Sequence, residues 1–473
     1  MKPGLRRLGE ALGADHLWVV GGALRDELLG RPHGDWDLAT DLLPEQAMER
    51  GRRSGLKVLP TGLQHGTVTV LAEGEGFEVT TFRSDGTYSD GRHPDGVQLG
   101  VTLEEDLSRR DFTINALALP LPAVGSSGWR EAVVDPHGGR VDLAAGLIRA
   151  VGDPRARFQE DGLRALRACR FAAQLGFALH PDTEAAIPER LAVAAKVAME
   201  RVFTELTKLL GGPEASRGLR LLEGTGLLDL WLPEMRPMVG CGQNRHHRYD
   251  VWDHTLRALD FAPGGDPALR WALFLHDVGK PSARGLGPIG EVHFHGHEER
   301  SVALASALLR RLKASNQLIQ AVEALIRHHG IHPEPGWSDA ACRRFLRRLA
   351  EDGLPLEAWH AFRLADQKAK GWGDAPVRPG DPEPEVWHAG VEAACDATRE
   401  RLAALLAARP PLQARDLALD GKALMALAGR KGGPWLGELQ RHLLEAVLEA
   451  PDLNHPEALT RVAHAWLEPE DRI

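Results

Sequence analysis

Two aspartates in the stretch DWDLAT, Asp35 and Asp37, have a spacing that suits a metal-dependent catalytic site. Side chains along a β-strand alternate between its two faces, so residues two apart point the same way. Two carboxylates on one face can hold a pair of divalent cations, one activating an attacking oxygen and the other holding a phosphate. A lone D-x-D is also common in surface turns, so neighbouring residues must decide between these interpretations.

The neighbouring residues favour phosphate chemistry. In VVGGALRDELLG a glycine pair that includes Gly22 separates a predicted strand from a predicted helix, whose first amides can receive phosphate oxygens. Arg25 adds positive charge there. Downstream, Glu78 in FEVTTFR lies on another predicted strand and could furnish a third carboxylate, although an ordinary exposed glutamate explains it equally well.

Two further segments carry basic groups at helical spacing. The segment LEEDLSRRDFTINAL includes Arg109, Arg110, Asp111 and Asn115. These groups suit a triphosphate and a ribose, or else a solvated helix start with an aspartate cap. In EDGLRALRACRF the residues Asp161, Arg164, Arg167 and Arg170 recur every three along one helical ridge. Three arginines without neutralising partners on a ridge predict a bound anion.

The elements that must position these residues change character along the chain. Short β-rich runs such as LWVV, DWDLAT, TVTVL and FEVTTF mark the first third, and long Leu/Ala/Arg-rich amphipathic stretches follow from about Arg157. A chain of 473 residues predicts roughly three domains. The net charge of −9 predicts that any RNA site is a local basic face.

Composition limits the remaining classes. The four cysteines lie far apart without a C-x-x-C pair, which predicts neither a disulfide framework nor a structural zinc site. The amino-terminal stretch lacks a long apolar run, and no later segment approaches the length needed to span a bilayer. We therefore expect a cytoplasmic protein with no membrane contact, and no feature predicts a protein partner.

The head motifs together resemble the class II tRNA nucleotidyltransferases, the bacterial CCA-adding enzymes, and through them the DNA polymerase β-like superfamily. The matching stretches, in the family's order, are GGALRDELLGRPHGDWDLAT, HGTVTVL, FEVTTFR, TLEEDLSRRDFTINALAL, VVDPHGGRVDLAAGLIRAVGDP and FQEDGLRALRACRFAAQLGF. They span roughly the first half of the chain. The fold class so implied is multidomain α+β: a polymerase β-like head with a mixed sheet, then all-helical neck, HD domain and tail.

The resemblance implies that Asp35 and Asp37 bind two catalytic magnesium ions. It implies an ATP/CTP pocket lined by Gly22, Arg25, Arg110, Asp161, Arg164, Arg167 and Arg170. A carboxylate and a guanidinium such as Asp161 and Arg164 can pair with the Watson–Crick edge of cytosine or adenine, which would exclude UTP and GTP by mismatch. CMP and AMP would then be added to the 3' end of tRNA without a template.

A flexible loop between the head motifs distinguishes family members that add the terminal adenosine from those that add only cytidines. The stretch RSDGTYSDGRHPDGVQLGVT occupies that interval and is Gly-rich and polar, which predicts that the loop is present. Full CCA addition and A addition alone both fit. A poly(A) polymerase shares the head motifs, but the acidic net charge, the HD insertion and the lack of a basic carboxy-terminal extension argue against it.

Histidines are dense between Asn244 and Gly330, and neutral imidazoles beside carboxylates are ordinary ligands of first-row metals. The order of the histidines and aspartates resembles the metal-dependent HD phosphohydrolases. The resemblance implies a divalent transition metal or Mg²⁺ held by His254, His276, Asp277 and Asp366, with His297 and His328 available for a second metal. Phosphatase or 2',3'-cyclic phosphodiesterase activity follows as a hypothesis, and a hydrolase with a non-catalytic head is the alternative from a different class.

The carboxy-terminal third predicts an RNA face. In CRRFLRRL the residues Arg343, Arg344, Arg347 and Arg348 form i,i+4 pairs, which indicates either an RNA-binding stripe or a solvated face balanced by Glu351 and Asp352. The Pro-rich segment GWGDAPVRPGDPEPE is the clearest linker. The predicted domains are a head at 1–140, a neck with nucleotide-selecting and RNA-binding helices at 141–240, an HD domain at 241–370 and a tRNA-binding tail at 371–473.

Overall fold

The computed structural model describes residues 1–86, 96–244, 247–371 and 384–468. The chain divides into two units, Met1–Pro233 and Glu234–Ile473. Two sequence predictions fall largely on other residues: the centre of the Gly-rich loop, at 87–95, and most of the Pro-rich linker, at 372–383, lie outside the described residues.

The first unit contains a mixed six-stranded sheet. The strands of the unit are β1 Leu17–Val20, β2 Asp37–Thr40, β3 Lys57–Gly62, β4 Thr67–Ala72, β5 Glu75–Thr81, β6 Arg83–Asp85, β7 Val97–Leu99, β8 Ala118–Pro120, β9 Leu147–Ile148 and β10 Ala178–Leu179. The order in the sheet is β3-β4-β5-β2-β1-β8. Strands β2 and β5 are parallel, and the other neighbours in this sheet are antiparallel.

Helices pack against this sheet, and most of the later elements of the unit are helical. They are α1 Pro3–Leu12, α2 Gly21–Leu28, α3 Pro44–Arg53, α4 Leu103–Ser108, α5 Gly139–Ala145, α6 Pro154–Glu160, α7 Leu163–Leu175, α8 Pro181–Ala186, α9 Leu191–Ala194, α10 Met199–Leu210, α11 Ala215–Gly224 and α12 Leu227–Trp231. Helix α7 packs against α10 and α11. The ridge of α7 therefore faces groups carried by later helices.

Alternating burial in the sheet explains why helices cover it. In β4 the side chains of Val68, Val70 and Ala72 are buried while the intervening ones are partly open. Helix α1 contacts this strand and places Leu5 and Leu8, both with no exposed surface, at helical spacing on one side. Burying each such leucine contributes about 2 kcal/mol before chain entropy is counted.

The second unit is almost entirely helical within its described residues. Its helices are α13 Val251–Phe261, α14 Pro267–Leu275, α15 Lys280–Ala283, α16 His297–Arg311, α17 Asn316–His328, α18 Asp339–Glu351, α19 Leu356–Lys370, α20 Pro384–Ala407, α21 Gly421–Ala428, α22 Pro434–Glu449 and α23 Pro456–Leu467. A short hairpin joins β11 Gly285–Leu286 to β12 Val292–His293. Helices α21 to α23 share a separate apolar core that includes Leu424, Leu443 and Leu459.

The predicted fold class is confirmed: a head with a mixed sheet precedes a helical remainder, and the fold is α+β with several domains. Among the described helices, none combines the length and the apolar character that crossing a bilayer requires.

Candidate active site

Three carboxylates meet on one side of the head sheet, near the start of β2. Strand β2 begins at Asp37, and Asp35 precedes it by two residues with the buried Trp36 between them, so both aspartates lie on the exposed side. Strand β5 runs parallel to β2 and places Glu78 directly opposite Asp37. Three carboxylates so close together offer the hard oxygen ligands that divalent cations prefer.

A glycine lets the start of α2 approach these carboxylates. Gly21 has φ +69°, and a Cβ there would lie 3.3 Å from Arg110 Nη1 and 3.5 Å from Asp37 Oδ2. A side chain at this position would therefore be strained and would press on the carboxylate. The glycine keeps the first amides of α2, including that of Gly22, next to Asp37.

The pKa of Asp37 is raised. Partial removal from bulk water raises it, Arg110 opposes the rise, and the negative charges of Glu78 and Asp35 add to it. Mutual repulsion among carboxylates is relieved when a cation binds between them. The donor set therefore fits a divalent metal.

The arginines predicted to meet an anion already have acidic partners. Arg25 donates to Asp26 and to Asn115 Oδ1, the latter at 2.9 Å. Arg164 pairs with Glu160, Arg167 with Asp111, and Arg170 with Glu205. The expectation of an unneutralised ridge is wrong, because α10 and the segments before α7 supply carboxylates that the ridge alone does not reveal.

Asp111 and Asp161 are held by arginines from other elements. Burial raises the pKa of Asp111, but the charge of Arg167 and hydrogen bonds from Asn115 and Arg167 outweigh it and lower the pKa to about 2. Arg201 of α10 donates to Asp161 Oδ2 at 2.6 Å. The two aspartates are thereby tied to α7 and α10.

These groups surround one cavity of about 750 Å³, hereafter the head cleft. Its lining includes Gly21, Gly22, Arg25, Asp37, Glu78, Arg109, Arg110, Asp111, Asn115, Asp161, Arg164, Arg167, Arg170, Phe171, Arg201 and Lys208. The predicted nucleotide-binding residues are therefore all brought together, and Asp35 lies two residues from Asp37. Arg201 was not predicted as a member of this site, because it lies 40 residues from Asp161 and the sequence gives no sign that the two meet.

A second group of ligand-type side chains lies in the second unit. His254 Nε2 is 3.0 Å from Asp366 Oδ1, and His276 Nε2 is 3.0 Å from Asp277 Oδ2. His254 Nε2 is also 3.7 Å from Asp277 Oδ2. All four side chains are buried. The structure thus brings together the four residues that the HD resemblance implied.

The other oxygen of Asp277 faces a second pair of histidines. His297 Nε2 lies 3.6 Å and His329 Nε2 lies 3.8 Å from Asp277 Oδ1, and the two nitrogens are 3.2 Å apart. His328, predicted for this position, instead bonds Asp352 at 2.7 Å. The prediction of His328 is wrong, because successive residues of a helix point about 100° apart and the end of α17 directs His329 inward.

Backbone carbonyls fix the ring orientation of these histidines. Nδ1 of His276, His297 and His329 lies within 2.9 Å of the carbonyls of Leu273, Phe294 and Ile326. A carbonyl only accepts, so each Nδ1 carries the hydrogen, and in a neutral ring Nε2 presents a lone pair to Asp277. A lone pair facing a carboxylate needs a cation between them, so this donor set fits a metal.

Protonation behaviour agrees with that arrangement. Burial lowers the pKa of His329 to about 3, with His276 adding to the fall. Burial also opposes the charging of His276, but Asp277 and Asp366 outweigh it and raise its pKa. The side chain of His329 is thus neutral over the whole physiological range, whereas the neighbouring carboxylates favour the protonated form of His276.

The cavity above these histidines, about 390 Å³, is lined by basic groups as well. Lys280 Nζ lies 2.7 Å from Asp277 Oδ2 and 2.7 Å from Gln243 Oε1, and Lys370 lines the same cavity. Lysines beside a metal centre suit a phosphate oxygen. Sequence reasoning did not single out Lys280, although it follows the His-Asp pair by one helical turn.

The basic stripe of α18 is not an open face. Arg343 is buried and donates to the carbonyls of Leu448, at 2.6 Å, and Glu449, at 3.0 Å. Arg344 and Arg347 both pair with Glu445 of α22. The interpretation of a solvent-facing stripe is wrong for Arg343, which is buried against α22. Arg344 and Arg347 keep partly exposed side chains, and Arg347 also lies 3.5 Å from Glu351, as the solvated-face alternative expected. Arg348 is exposed, and RNA contact by any of the four stays a prediction.

Three family models match the chain. The Poly A polymerase head domain matches residues 17–149, the probable RNA and SrmB-binding site of polymerase A matches residues 176–238, and the HD domain matches residues 251–366. Both catalytic families depend on divalent metals in general. The class is that of nucleotidyltransferases with a polymerase-type head, here followed by an HD domain.

Similar proteins identify the family within this class of nucleotidyltransferases. The CCA-adding enzyme of Geobacillus stearothermophilus is 34% identical over 460 residues, which cover 96% of this chain and 93% of the relative. The A-adding tRNA nucleotidyltransferase of Deinococcus radiodurans is 36% identical over 463 residues, 95% of each chain. The crystal structure of the Bacillus stearothermophilus CCA-adding enzyme in complex with CTP matches with TM-score 0.68 and 32% identity, covering 99% of this chain and 97% of that one. The chain belongs to the tRNA nucleotidyltransferase family that includes the CCA-adding and A-adding enzymes.

Proposed function

We propose that this chain adds CMP and AMP, taken from CTP and ATP, to the 3' end of tRNA without a nucleic-acid template, building or repairing the CCA end. The observation that carries the proposal is the set of three carboxylates, Asp35, Asp37 and Glu78, at one edge of a cleft lined by arginines. Relatives that cover nearly the whole chain are CCA-adding enzymes, one of them solved with CTP.

Asp35 and Asp37 are the residues that would hold two Mg²⁺ ions, with Glu78 as a third carboxylate at the same edge. Such ions, when bound, lower the pKa of an attacking hydroxyl and balance the charge of a triphosphate. The chain itself provides the orientation. Gly21 brings the start of α2 and Arg110 close to Asp37, so a triphosphate on those amides would present its α-phosphate to the carboxylate edge.

Arginines of the head cleft would compensate the charge of the bound nucleotide. Arg25, Arg110, Arg167 and Arg170 are the residues that we assign to this task, together with the amide of Gly22. Asp161 and Arg164 would read the base, because a carboxylate accepts from the amino group of cytosine or adenine while a guanidinium donates to the ring nitrogen.

The remainder of the chain would hold the tRNA. We assign the neck at 141–240, the HD domain at 241–370 and the tail at 371–473 as separate regions after the head at 1–140, and the model match over residues 176–238 supports RNA binding by the neck. Arg348 is the exposed member of the α18 arginines and would contact the RNA backbone. A cytoplasmic location remains a prediction.

Extension assays test the transferase. Purified protein is incubated with tRNA that lacks CCA or ends in CC, and with CTP, ATP or both. We expect CCA on the first substrate and A on the second, and a loss of at least about 1,000-fold in Asp35→Ala and Asp37→Ala. Asp41→Ala, which alters an exposed aspartate just after β2, should retain activity.

The products also separate the alternatives. Extension of the CC-ended tRNA alone would indicate an enzyme that adds only A, as the Deinococcus radiodurans relative is named. Long adenosine tails would indicate a poly(A) polymerase. If neither substrate is extended, the transferase proposal is refuted.

The second unit favours a further activity, metal-dependent phosphoester hydrolysis. His254 of α13, the pair His276-Asp277 that follows α14, and Asp366 of α19 lie close together, and lysines line the adjoining cavity. We propose that His254, His276, Asp277 and Asp366 hold a divalent metal, with His297 and His329 facing the other oxygen of Asp277. A terminal phosphate or a 2',3'-cyclic end of tRNA is the substrate class we assign.

A further inference from the structure

The carboxylate of Asp161 is clamped by an arginine from another helix. Arg201 of α10 donates through Nη2 to Asp161 Oδ2 at 2.6 Å and through Nη1 to Oδ1 at 3.3 Å. The amide of Leu163 also donates to Oδ1, at 3.0 Å. Both side chains line the head cleft, with 17% of Asp161 and 29% of Arg201 exposed. A ligand in the cleft can therefore reach this ion pair.

The geometry fixes the chemical character of Asp161. Arg201 bonds both oxygens of Asp161 and so fixes the orientation of a carboxylate, a group that only accepts hydrogen bonds. Each carboxylate oxygen has two lone pairs, so an oxygen bonded to Arg201 can still accept from a ligand. Asp161 thus stands in the cleft as an oriented acceptor.

Nucleobases differ at the position that such an acceptor would read. Cytosine and adenine present amino donors at N4 and N6, whereas uracil and guanine present carbonyl acceptors at O4 and O6. A group that can only accept attracts the first pair and repels the second. A carboxylate free to rotate would not hold its acceptor oxygen at this position and would discriminate less between the two pairs of bases.

Arg164, the other base-reading group, does not depend on Arg201. Its Nη2 donates to the carbonyl of Arg109 at 2.9 Å, and its Nη1 donates to the carbonyl of Arg157 at 3.2 Å and to Glu160. Removing Arg201 would therefore release the acceptor of the pair and leave the donor in place.

We propose that Arg201 is a positioning residue for nucleotide selection, which keeps Asp161 oriented as the acceptor for the amino group of cytosine or adenine. The inference rests on the proposed transferase function. It adds a residue of α10 to the specificity determinants carried by α7 and its N-terminus, and it predicts that discrimination against UTP and GTP can be lost while nucleotide transfer persists.

The test compares Arg201→Met, which keeps the stem and removes every donor, with Arg201→Lys, which keeps the charge but not the bidentate geometry. kcat/KM is measured for each of the four nucleoside triphosphates on tRNA lacking its CCA end. We expect R201M to reduce the preference for CTP and ATP over UTP and GTP by roughly ten- to a hundred-fold, and R201K to fall between R201M and wild type. Arg217→Met, which removes an exposed pair with Glu214, should leave the preference unchanged.

The preference ratio separates positioning from mere support of the fold. A uniform fall of kcat/KM for all four triphosphates, or an unchanged ratio, overturns the inference. Thermal unfolding shows whether R201M folds. If it does not, the preference ratio of R201K decides the question. If wild type extends no tRNA, the transferase proposal fails on that result alone. Calorimetric binding of CTP and UTP to wild type and R201K then still tests the clamp, and equal CTP preference in both would overturn it.

Discussion

Asp111 joins the segment that follows α4 to helix α7. Its carboxylate accepts hydrogen bonds from the amide of Phe112 at 2.9 Å, from Asn115 Nδ2 at 3.2 Å and from Arg167 Nε at 2.8 Å. A buried carboxylate with this many donors is stabilised in its ionised form, which is why its pKa falls to about 2 despite burial. The same bonds link head-cleft residues to the stability of the unit.

We expect this link to appear as a pH-dependent stability. Because the folded pKa lies below the ordinary 3.8, the contribution is complete above pH 3.8 and is lost as the pH falls toward 2. The full contribution is about 2 kcal/mol, of which about 1 kcal/mol is lost by pH 3. Denaturant unfolding gives the free energies of unfolding of wild type and Asp111→Asn at pH 7 and pH 3. The difference between the two proteins should be smaller at pH 3 by that amount. The exposed Asp182→Asn serves as the control, and a gap of equal size at both pH values would contradict the prediction.

The sequence was informative wherever a pattern within one element determined which residues are close together. The alternating pattern of DWDLAT was enough to put Asp35 and Asp37 on one side, and the β-rich run FEVTTFR offered Glu78 as a third carboxylate on another strand. Interaction partners that lie on distant elements could not be predicted from such local patterns. Arg201 lies 40 residues from Asp161, and the packing of α10 on α7 decides that they meet. His328 and His329 are adjacent, so only the rotation of α17 about its axis selects between them.

At the scale of elements, helix α18 shows how a surface pattern can be satisfied internally. Its i,i+4 arginines have the spacing of an RNA-binding stripe, yet Arg343 donates to two carbonyls at the carboxy-terminal end of α22, which have no partners within that helix. Arg344 and Arg347 meet Glu445 on the same helix. The stripe therefore attaches the tail helices to the rest of the second unit.

Because of this attachment, we expect substitutions along the stripe to reduce the free energy of unfolding by unequal amounts. Arg343→Met should destabilise the second unit by about 2 kcal/mol, because it leaves buried carbonyls without donors. Arg348→Met, on the exposed side, should cost less than about 0.5 kcal/mol. Thermal unfolding and protease susceptibility of α21 to α23 measure both. If Arg348→Met alone weakens tRNA binding and reduces its salt dependence, the exposed side of α18 is the RNA contact. Equal stabilities of Arg343→Met and Arg348→Met would contradict the proposal that Arg343 attaches α22.

At the scale of the whole molecule, two metal-type centres lie in two separate units and differ in donor chemistry. The head offers carboxylates alone, which prefer hard cations such as Mg²⁺. The second unit offers imidazoles around a shared aspartate, a donor set that binds first-row transition metals more strongly. The two centres should therefore respond to different ions, and each activity should survive loss of the other.

Chelation followed by reconstitution tests this separation. After removal of metals from the full chain, Mg²⁺ alone should restore tRNA extension, whereas release of phosphate from a 2',3'-cyclic tRNA end should recover fully only with a transition metal such as Mn²⁺, Co²⁺ or Ni²⁺. Asp277→Ala should lose hydrolysis and keep extension, because it removes the carboxylate that both histidine pairs face. Asp35→Ala should show the reverse pattern. Unchanged hydrolysis in Asp277→Ala would remove the second unit from catalysis, and loss of both activities in either variant would show that the two centres do not act independently.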